Sequence, residues 1–286
     1  MTASLDHRSH LYRADLADIR LKDQVTAERY TEGALSQVML PVAQVHARPD
    51  PDCGIDTQAL YGETVTVFDV SGGWAWVQLV ADGYVGYVRE EALKEGEGLA
   101  THVVSVPRSF VYPGPDLRFP SQTALSMGSR VNVVGATETR ATPYALLEDG
   151  SAMIATHLRP VDETAPEDAV TIAARFLHTP YLWGGRSGFG IDCSGLVQIA
   201  LAMTGKSAPR DSDQQAANLG TAIDPDRDGL QRGDLVFWKG HVGFLEDEQM
   251  LLHASGGTMY VTREPLKEAI DRIGKLYGLP TGYRRP

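Results

Sequence analysis

Gly190-Ile191-Asp192-Cys193-Ser194-Gly195-Leu196-Val197 is the stretch on which the reading of this chain turns. Residues 194–203 read as a helix, with Leu196, Val197, Ile199, Ala200 and Met203 supplying its buried face. Cys193 therefore stands at the amino end of a helix, where the positive end of the dipole lowers a thiol pKa. Polar Asp192 and Ser194 flank it and Gly195 follows, which is not the setting of an inert core cysteine. Two histidines come later: His241 in Gly240-His241-Val242-Gly243-Phe244, and His253 in Leu251-Leu252-His253-Ala254. One thiol followed by two imidazoles is what a thiol hydrolase needs: a nucleophile, a base for its proton, and a polar group that orients the base. Residues 235–238, 242–246 and 250–253 read as strands. The spacing of the histidines suits neighbouring antiparallel strands joined by a short turn. Helix followed by sheet makes the carboxy-terminal part an α+β domain.

Working outward, Pro180-Tyr181-Leu182-Trp183-Gly184-Gly185 precedes the cysteine. Arg210-Asp211-Ser212-Asp213-Gln214-Gln215 follows its helix, and Arg232-Gly233-Asp234-Leu235-Val236-Phe237-Trp238 leads into the first histidine block. Five blocks in this order, over about residues 165 to 286, resemble the NlpC/P60 cysteine peptidases, which cut peptidoglycan stem peptides; any one block alone would be weak. The resemblance implies a papain-like α+β domain with Cys193 as nucleophile, His241 as base and then acid, and His253 as the orienting group. It implies Tyr181 near the oxyanion pocket, together with the backbone N–H of Cys193. Asp192, Ser194 and Ser212 resemble substrate-contacting positions, Asp192 for the ammonium of an N-terminal L-Ala and the serines for the D-Glu carboxylate. Asp192, Ser212 and Tyr181 also have blander readings: a helix N-cap, turn chemistry and packing beside Trp183.

Upstream, the period changes. Val65-Thr66-Val67-Phe68-Asp69-Val70, Trp74-Ala75-Trp76-Val77-Gln78-Leu79 and Tyr84-Val85-Gly86-Tyr87-Val88 read as short strands, separated by Ser71-Gly72-Gly73 and Asp82-Gly83 turns. Short strands joined by Gly-rich turns suggest a small barrel, and the order resembles a bacterial SH3 domain. A weaker copy follows, without the tryptophan pair: Pro113-Gly114-Pro115-Asp116 and Gly128-Ser129-Arg130-Val131 repeat earlier positions at an offset of 64 to 66 residues, and Glu148-Asp149-Gly150 matches the turn before Tyr84. The expected order is a partly helical extension over 1–35, SH3-like modules over 36–97 and 98–162, and the peptidase domain over 163–286. The fold class is thus a papain-like α+β domain preceded by two small all-β SH3-like barrels. A helix is expected within 15–29. Another is expected over 169–177, started by a Thr164–Glu167 capping box. In the enzymes this combination resembles, a glutamate and a tyrosine of the first module help to hold the free amine; Glu63 and Tyr84 match, with Tyr87 of the other parity packing inward.

Composition bounds the rest. The 286 residues suffice for two or three domains. A net charge of −11 argues against nucleic acid, whose phosphates are bound by Lys and Arg. Cys53 and Cys193 lie in unlike settings and are expected as free thiols. No cofactor is expected, and no metal: the histidines are scattered and no ligand pair has zinc spacing. The first 22 residues carry no apolar signal-peptide core, and no stretch is long and apolar enough to span a membrane. The expectation is a cytoplasmic monomer, although a leader removed beforehand would read the same way. Its implied partner is a muropeptide, L-Ala-γ-D-Glu-diaminopimelate or its Lys counterpart. The alternatives are an N-acetylmuramoyl-L-alanine amidase or thiol acyltransferase on the same scaffold, or a wall-binding module with a vestigial peptidase domain.

Overall fold

The computed structural model describes residues 5–286. The chain divides into two compact units. One comprises residues up to Val104, Ser109–Leu125 and Ser129–Leu158; the other comprises Ser105–Arg108, Ser126–Gly128 and Arg159–Pro286.

The first unit is almost entirely β. Its opening strands are β1 (Leu16–Asp18), β2 (Arg29–Thr31), β3 (Ala34–Val38), β4 (Val42–His46), β5 (Ile55–Leu60), β6 (Thr64–Ser71), β7 (Trp74–Leu79), β8 (Val85–Arg89) and β9 (Leu93–Glu95). The expected helix within 15–29 does not form; β1, a 3-10 turn at Ile19–Leu21 and β2 take its place. Leu11, Leu16 and Leu21 are spaced by five and share no helical face. Leu11 and Leu16 bury against Phe68, Trp76 and Val85.

Strands β3 to β9 form a seven-stranded sheet in the order β5-β4-β8-β7-β6-β3-β9. Alternation along β7 feeds two cores. Ala75, Val77 and Leu79 join Val38, Val45, Val65 and Val88, whereas Trp76 joins the cluster made by Leu11 and Leu16. Each fully buried Val or Leu among them contributes about 1.5–3 kcal/mol. The pairing leaves the sheet open between β5 and β9, so no closed barrel forms. The 3-10 turn at Glu90–Ala92 leaves β9 only three residues, and these are spent on β3.

Strands β10 (His102–Val104), β11 (Arg108–Val111), β12 (Thr123–Ser126), β13 (Arg130–Val131), β14 (Val133–Thr139), β15 (Thr142–Leu147), β16 (Ala152–Ile154) and β17 (Leu158–Pro160) make up the second copy. Its order of hairpin, strand, 3-10 turn and strand repeats β6 to β9, with Ala155–His157 standing 65 residues after Glu90–Ala92. It too remains open, in small separate sheets. Most of β14 is exposed.

The second unit carries α1 (Ala169–Ala174), β18 (Arg186–Ser187), β19 (Gly190–Ile191), α2 (Cys193–Met203), α3 (Ser212–Asn218), β20 (Thr221–Ile223), α4 (Pro225–Asp228), β21 (Leu235–Trp238), β22 (His241–Leu245), β23 (Met250–Ser255), β24 (Tyr260–Pro265), α5 (Leu266–Tyr277) and β25 (Gly282–Arg285). Helix α1 is capped by Asp168, whose carboxylate accepts the N–H of Thr171, and not by the expected Thr164–Glu167 box. Asp168 stands directly before the first helical residue and needs no reciprocal partner. A six-stranded antiparallel sheet in the order β20-β25-β21-β22-β23-β24 forms the centre. Helix α2 packs against β22 and β23, and α5 against β23 and β24. Buried Asp234 accepts both Arg285 nitrogens at 2.8 and 2.9 Å, which ties β25 to the head of β21. No described helix is long and apolar enough to cross a membrane.

Candidate active site

The amino end of α2 is built by close backbone approach. A Cβ on Gly195 would lie 2.4 Å from the carbonyl oxygen of Gly185, and one on Gly185 would lie 2.6 Å from that of Gly190. Only glycines let the 180–185 loop seat against the helix entry. Tyr181, half-buried, bridges Ile191 in the parallel sense and donates its N–H to Met259 at 2.8 Å.

Asp192 is the N-cap. Its Oδ1 accepts the N–H of Gly195 at 2.7 Å and the Ser194 hydroxyl at 3.3 Å; its Oδ2 accepts the N–H of Gly184 at 3.0 Å. Arg210, 1% exposed, then forks onto the same carboxylate, 3.0 Å to Oδ1 and 2.7 Å to Oδ2, and donates to Ser194 Oγ at 2.8 Å. Both oxygens are thus engaged by helix, loop and guanidinium. A buried ion pair of this kind holds only with such full hydrogen bonding. The Arg210 block stands out in the sequence, but which carboxylate it serves depends on where the chain returns after α2.

Cys193 follows the cap and is buried. Burial, with the Asp192 charge beside it, pushes its thiol up to about 12; the Val242 N–H and Arg210 act in the opposite direction. Burial also raises the Tyr181 phenol, with the neighbouring Cys193 and Asp192 adding to the effect.

The histidines sit where the strand reading puts them. His241 opens β22 and His253 lies in β23, its antiparallel neighbour. A Cβ on Gly243 would come within 2.9 Å of the Cβ of His253, so the glycine makes room for that ring. Nε2 of His241 lies 2.7 Å from Nδ1 of His253, and Nε2 of His253 lies 2.7 Å from Oε1 of Glu264. Arg272, on α5, donates to both oxygens of Glu264. Burial alone would raise the Glu264 carboxyl, but the hydrogen bonds from His253 and Arg272 bring it down to about 2.

An ionised carboxylate only accepts, so His253 carries its proton on Nε2 and offers Nδ1 as acceptor. His241 must then carry its proton on Nε2, which leaves Nδ1 as the unprotonated, basic nitrogen. Burial, assisted by His253 and Arg272, lowers the His241 imidazole to about 3. Both shifts favour the neutral forms, thiol and imidazole. No hydrogen bond joins Cys193 Sγ to His241 among the described residues. Such contacts often tighten only when substrate is bound.

Glu264 and Arg272 had no signal in the sequence beyond being one acid and one base among many. Their meeting depends on the β23–β24 register and on the return of α5. Ser212 begins α3 and is half-buried. In the first unit, Glu63 is 6% exposed and its Oε2 accepts the N–H of Leu60 at 2.8 Å. Tyr84 precedes β8 and is 5% exposed, whereas half-buried Tyr87 stacks on Trp76 and accepts from Arg13 at 3.2 Å. Tyr87 packs inward against the cluster of Leu11, Leu16, Phe68, Trp76 and Val85, as its parity suggests, although Tyr84 is the more buried of the two. Cys53 and Cys193 are both free thiols. No group of three His, Cys, Asp or Glu side chains among the described residues could hold a metal ion.

Comparison with known proteins follows the same division. Residues 178–271 match the NlpC/P60 family, and residues 45–93 match the bacterial dipeptidyl-peptidase SH3 domain. A probable endopeptidase NlpC of Escherichia coli is 34% identical over 132 residues, 41% of this chain and 80% of that protein. The chain belongs to the NlpC/P60 family. A γ-D-glutamyl-L-lysine dipeptidyl-peptidase of Bacillus cereus is 30% identical over 229 residues, 72% of this chain; the chain spans 66% of that relative's length. The crystal structure of an NlpC/P60 family protein from Bacillus cereus superposes with a TM-score of 0.72 at 25% identity, covering 88% of this chain and 99% of that one. The NlpC/P60 match takes in Tyr181, Cys193, both histidines and Glu264.

Proposed function

We propose that this NlpC/P60 chain is a cysteine endopeptidase that hydrolyses the γ-D-glutamyl–diamino acid bond of peptidoglycan stem peptides with a free N-terminal L-Ala. The observation that carries this reading is the run His241–His253–Glu264, whose two 2.7 Å contacts leave Nδ1 of His241 unprotonated in the domain that holds Cys193. The name of the Bacillus cereus relative supports the bond class.

In the proposed reaction Sγ of Cys193 attacks the γ-carbonyl carbon of D-Glu while its proton passes to Nδ1 of His241. The N–H of Cys193, at the start of α2, and the Tyr181 hydroxyl stabilise the oxyanion. The C–N bond breaks as the His241 proton moves to the leaving α-amine. Water then adds to the thioester, again through His241, and releases the D-Glu carboxyl and the thiol. Transfer requires Sγ of Cys193 and Nδ1 of His241 within hydrogen-bond reach of each other. Ser194 and Ser212 are the proposed partners of the D-Glu carboxylate, and Asp192 that of the free amine. Such substrates are stems already released from sugar, which suits recycling of wall material.

Mass-spectrometric product analysis of L-Ala-γ-D-Glu-meso-diaminopimelate and its N-acetylated form, with a Cys193→Ala control, tests this. Release of L-Ala-D-Glu from the free-amine peptide alone is expected. Cleavage of both forms removes the free-amine restriction; cleavage of neither overturns the bond assignment.

A further inference from the structure

Within the second unit, a cavity of about 320 Å³ opens beside the two histidines. Tyr181 and Trp183 line it from the loop before the nucleophile, Lys239 from the β21–β22 turn, and Arg272 and Tyr277 from α5. Trp183 and Tyr277 are 70% and 59% exposed. Large aromatic surface left at the wall of a concave site marks a place where a ligand packs.

The cavity's charge is one-sided. Arg272 is matched by Glu264. Lys239 is exposed, and no carboxylate pairs with it among the described residues. The cavity therefore offers one unmatched positive charge beside the exposed rings of Trp183 and Tyr277.

Its position says which part of a substrate would enter. The group that protonates the leaving amine is His241, so the residue bearing that amine must lie against the imidazole. The cavity abuts His241 and His253, whereas Cys193, Asp192 and Ser194 do not line it. We infer that this cavity is the leaving-side subsite, with Lys239 binding a carboxylate of the diamino acid residue and Trp183 and Tyr277 packing on its aliphatic chain. The inference rests on the bond assignment proposed above. Either the α-carboxylate or a side-chain carboxylate supplies the same chemistry.

Three peptides of the form L-Ala-γ-D-Glu-X separate the sources. In one, X is Lys with a free α-carboxylate; in the second, Lys amide; in the third, diaminopimelate with only its side-chain carboxylate free. Wild-type kcat/KM is expected to be higher for at least one acid than for Lys amide, and whichever acid is preferred identifies the carboxylate. Lys239→Ala is expected to lower that acid-to-amide ratio about fivefold, as for an exposed ion pair. Lys239→Glu should lower it further. A ratio equal in wild type and both variants overturns the subsite while leaving the bond assignment intact. Cleavage of none of the three by wild type overturns both.

Discussion

Two polar networks in the second unit each end in an arginine, and they differ in what the arginine does. On the nucleophile side, Arg210 is 1% exposed and grips Asp192, the cap of α2, through both oxygens. On the base side, Arg272 keeps 42% of its side chain exposed and reaches His241 only through Glu264 and His253. The first network has its charges locked in a dry interior and sets geometry. The second ends near water and sets where protons sit. Desolvation makes the first costly to break. The second acts by choosing a tautomer, which costs little stability but governs the proton acceptor.

Breaking the first network should have the largest effect. Arg210→Ala leaves the Asp192 carboxylate buried and unpaired and is expected to destabilise the fold by about 3–5 kcal/mol. Chemical denaturation checks this, and Arg210→Ala with Asp192→Asn should recover part of the loss. A single variant as stable as wild type would make the clamp no different from an exposed pair.

On the base side, His253→Ala is expected to reduce kcat on the order of 100-fold or more while stability changes far less, because His241 loses the partner that holds its tautomer. An equal loss from His253→Gln, which still offers an acceptor, would shift the weight from hydrogen bonding to ring packing. Glu264→Gln should cost less, about fivefold in kcat, since an amide oxygen still accepts from His253. Its diagnostic is the pH profile of kcat/KM, whose acid limb should move relative to wild type. An unmoved limb would confine Glu264 to holding α5 through Arg272.

The two sides should also part in stability against pH. His241 is held low, to about 3, so between about 6.5 and 3 the unfolded chain binds the extra proton and stability falls as the medium is acidified. Glu264, lowered to about 2, adds stability that is present above about 4.5 and lost as pH falls towards 2. Cys193 is held high, so stability falls as pH rises from about 9 towards 12. Thermal melts across pH should show the alkaline limb flattened by Cys193→Ala and the acid limb flattened by His241→Asn. An alkaline limb unchanged in Cys193→Ala would mean that the thiol is not desolvated.

Much of this was legible in local pattern. Apolar spacing after Cys193 marks α2, and β-rich runs around glycines mark β6, β7 and β8. The turn joining Ser71 to Trp74 uses Gly72 and Gly73, both at positive φ, as a two-residue hairpin requires. The equivalent turn in the second copy joins Thr139 to Thr142 through Arg140 and Ala141, also at positive φ. Nothing in Arg-Ala announces such a turn. The tertiary frame imposes a conformation that costs L-residues of order 1 kcal/mol each. The 15–29 helix failed for the related reason that Leu16 is used against Phe68, Trp76 and Val85, partners distant in sequence.

The sequence by itself determined the catalytic candidates and the α+β class of the domain that carries them. Thiol, imidazoles, cap and glycines are each tied to a neighbour within a few residues. Only the tertiary structure decided that Asp192 answers to Arg210, that Glu264 sets the tautomer of both histidines, and that Lys239 stands unmatched beside them. Those relations join residues brought together by strand register and by the return of a helix. Hydrogen bonding in a desolvated site depends on that distance and direction, which composition and spacing do not encode.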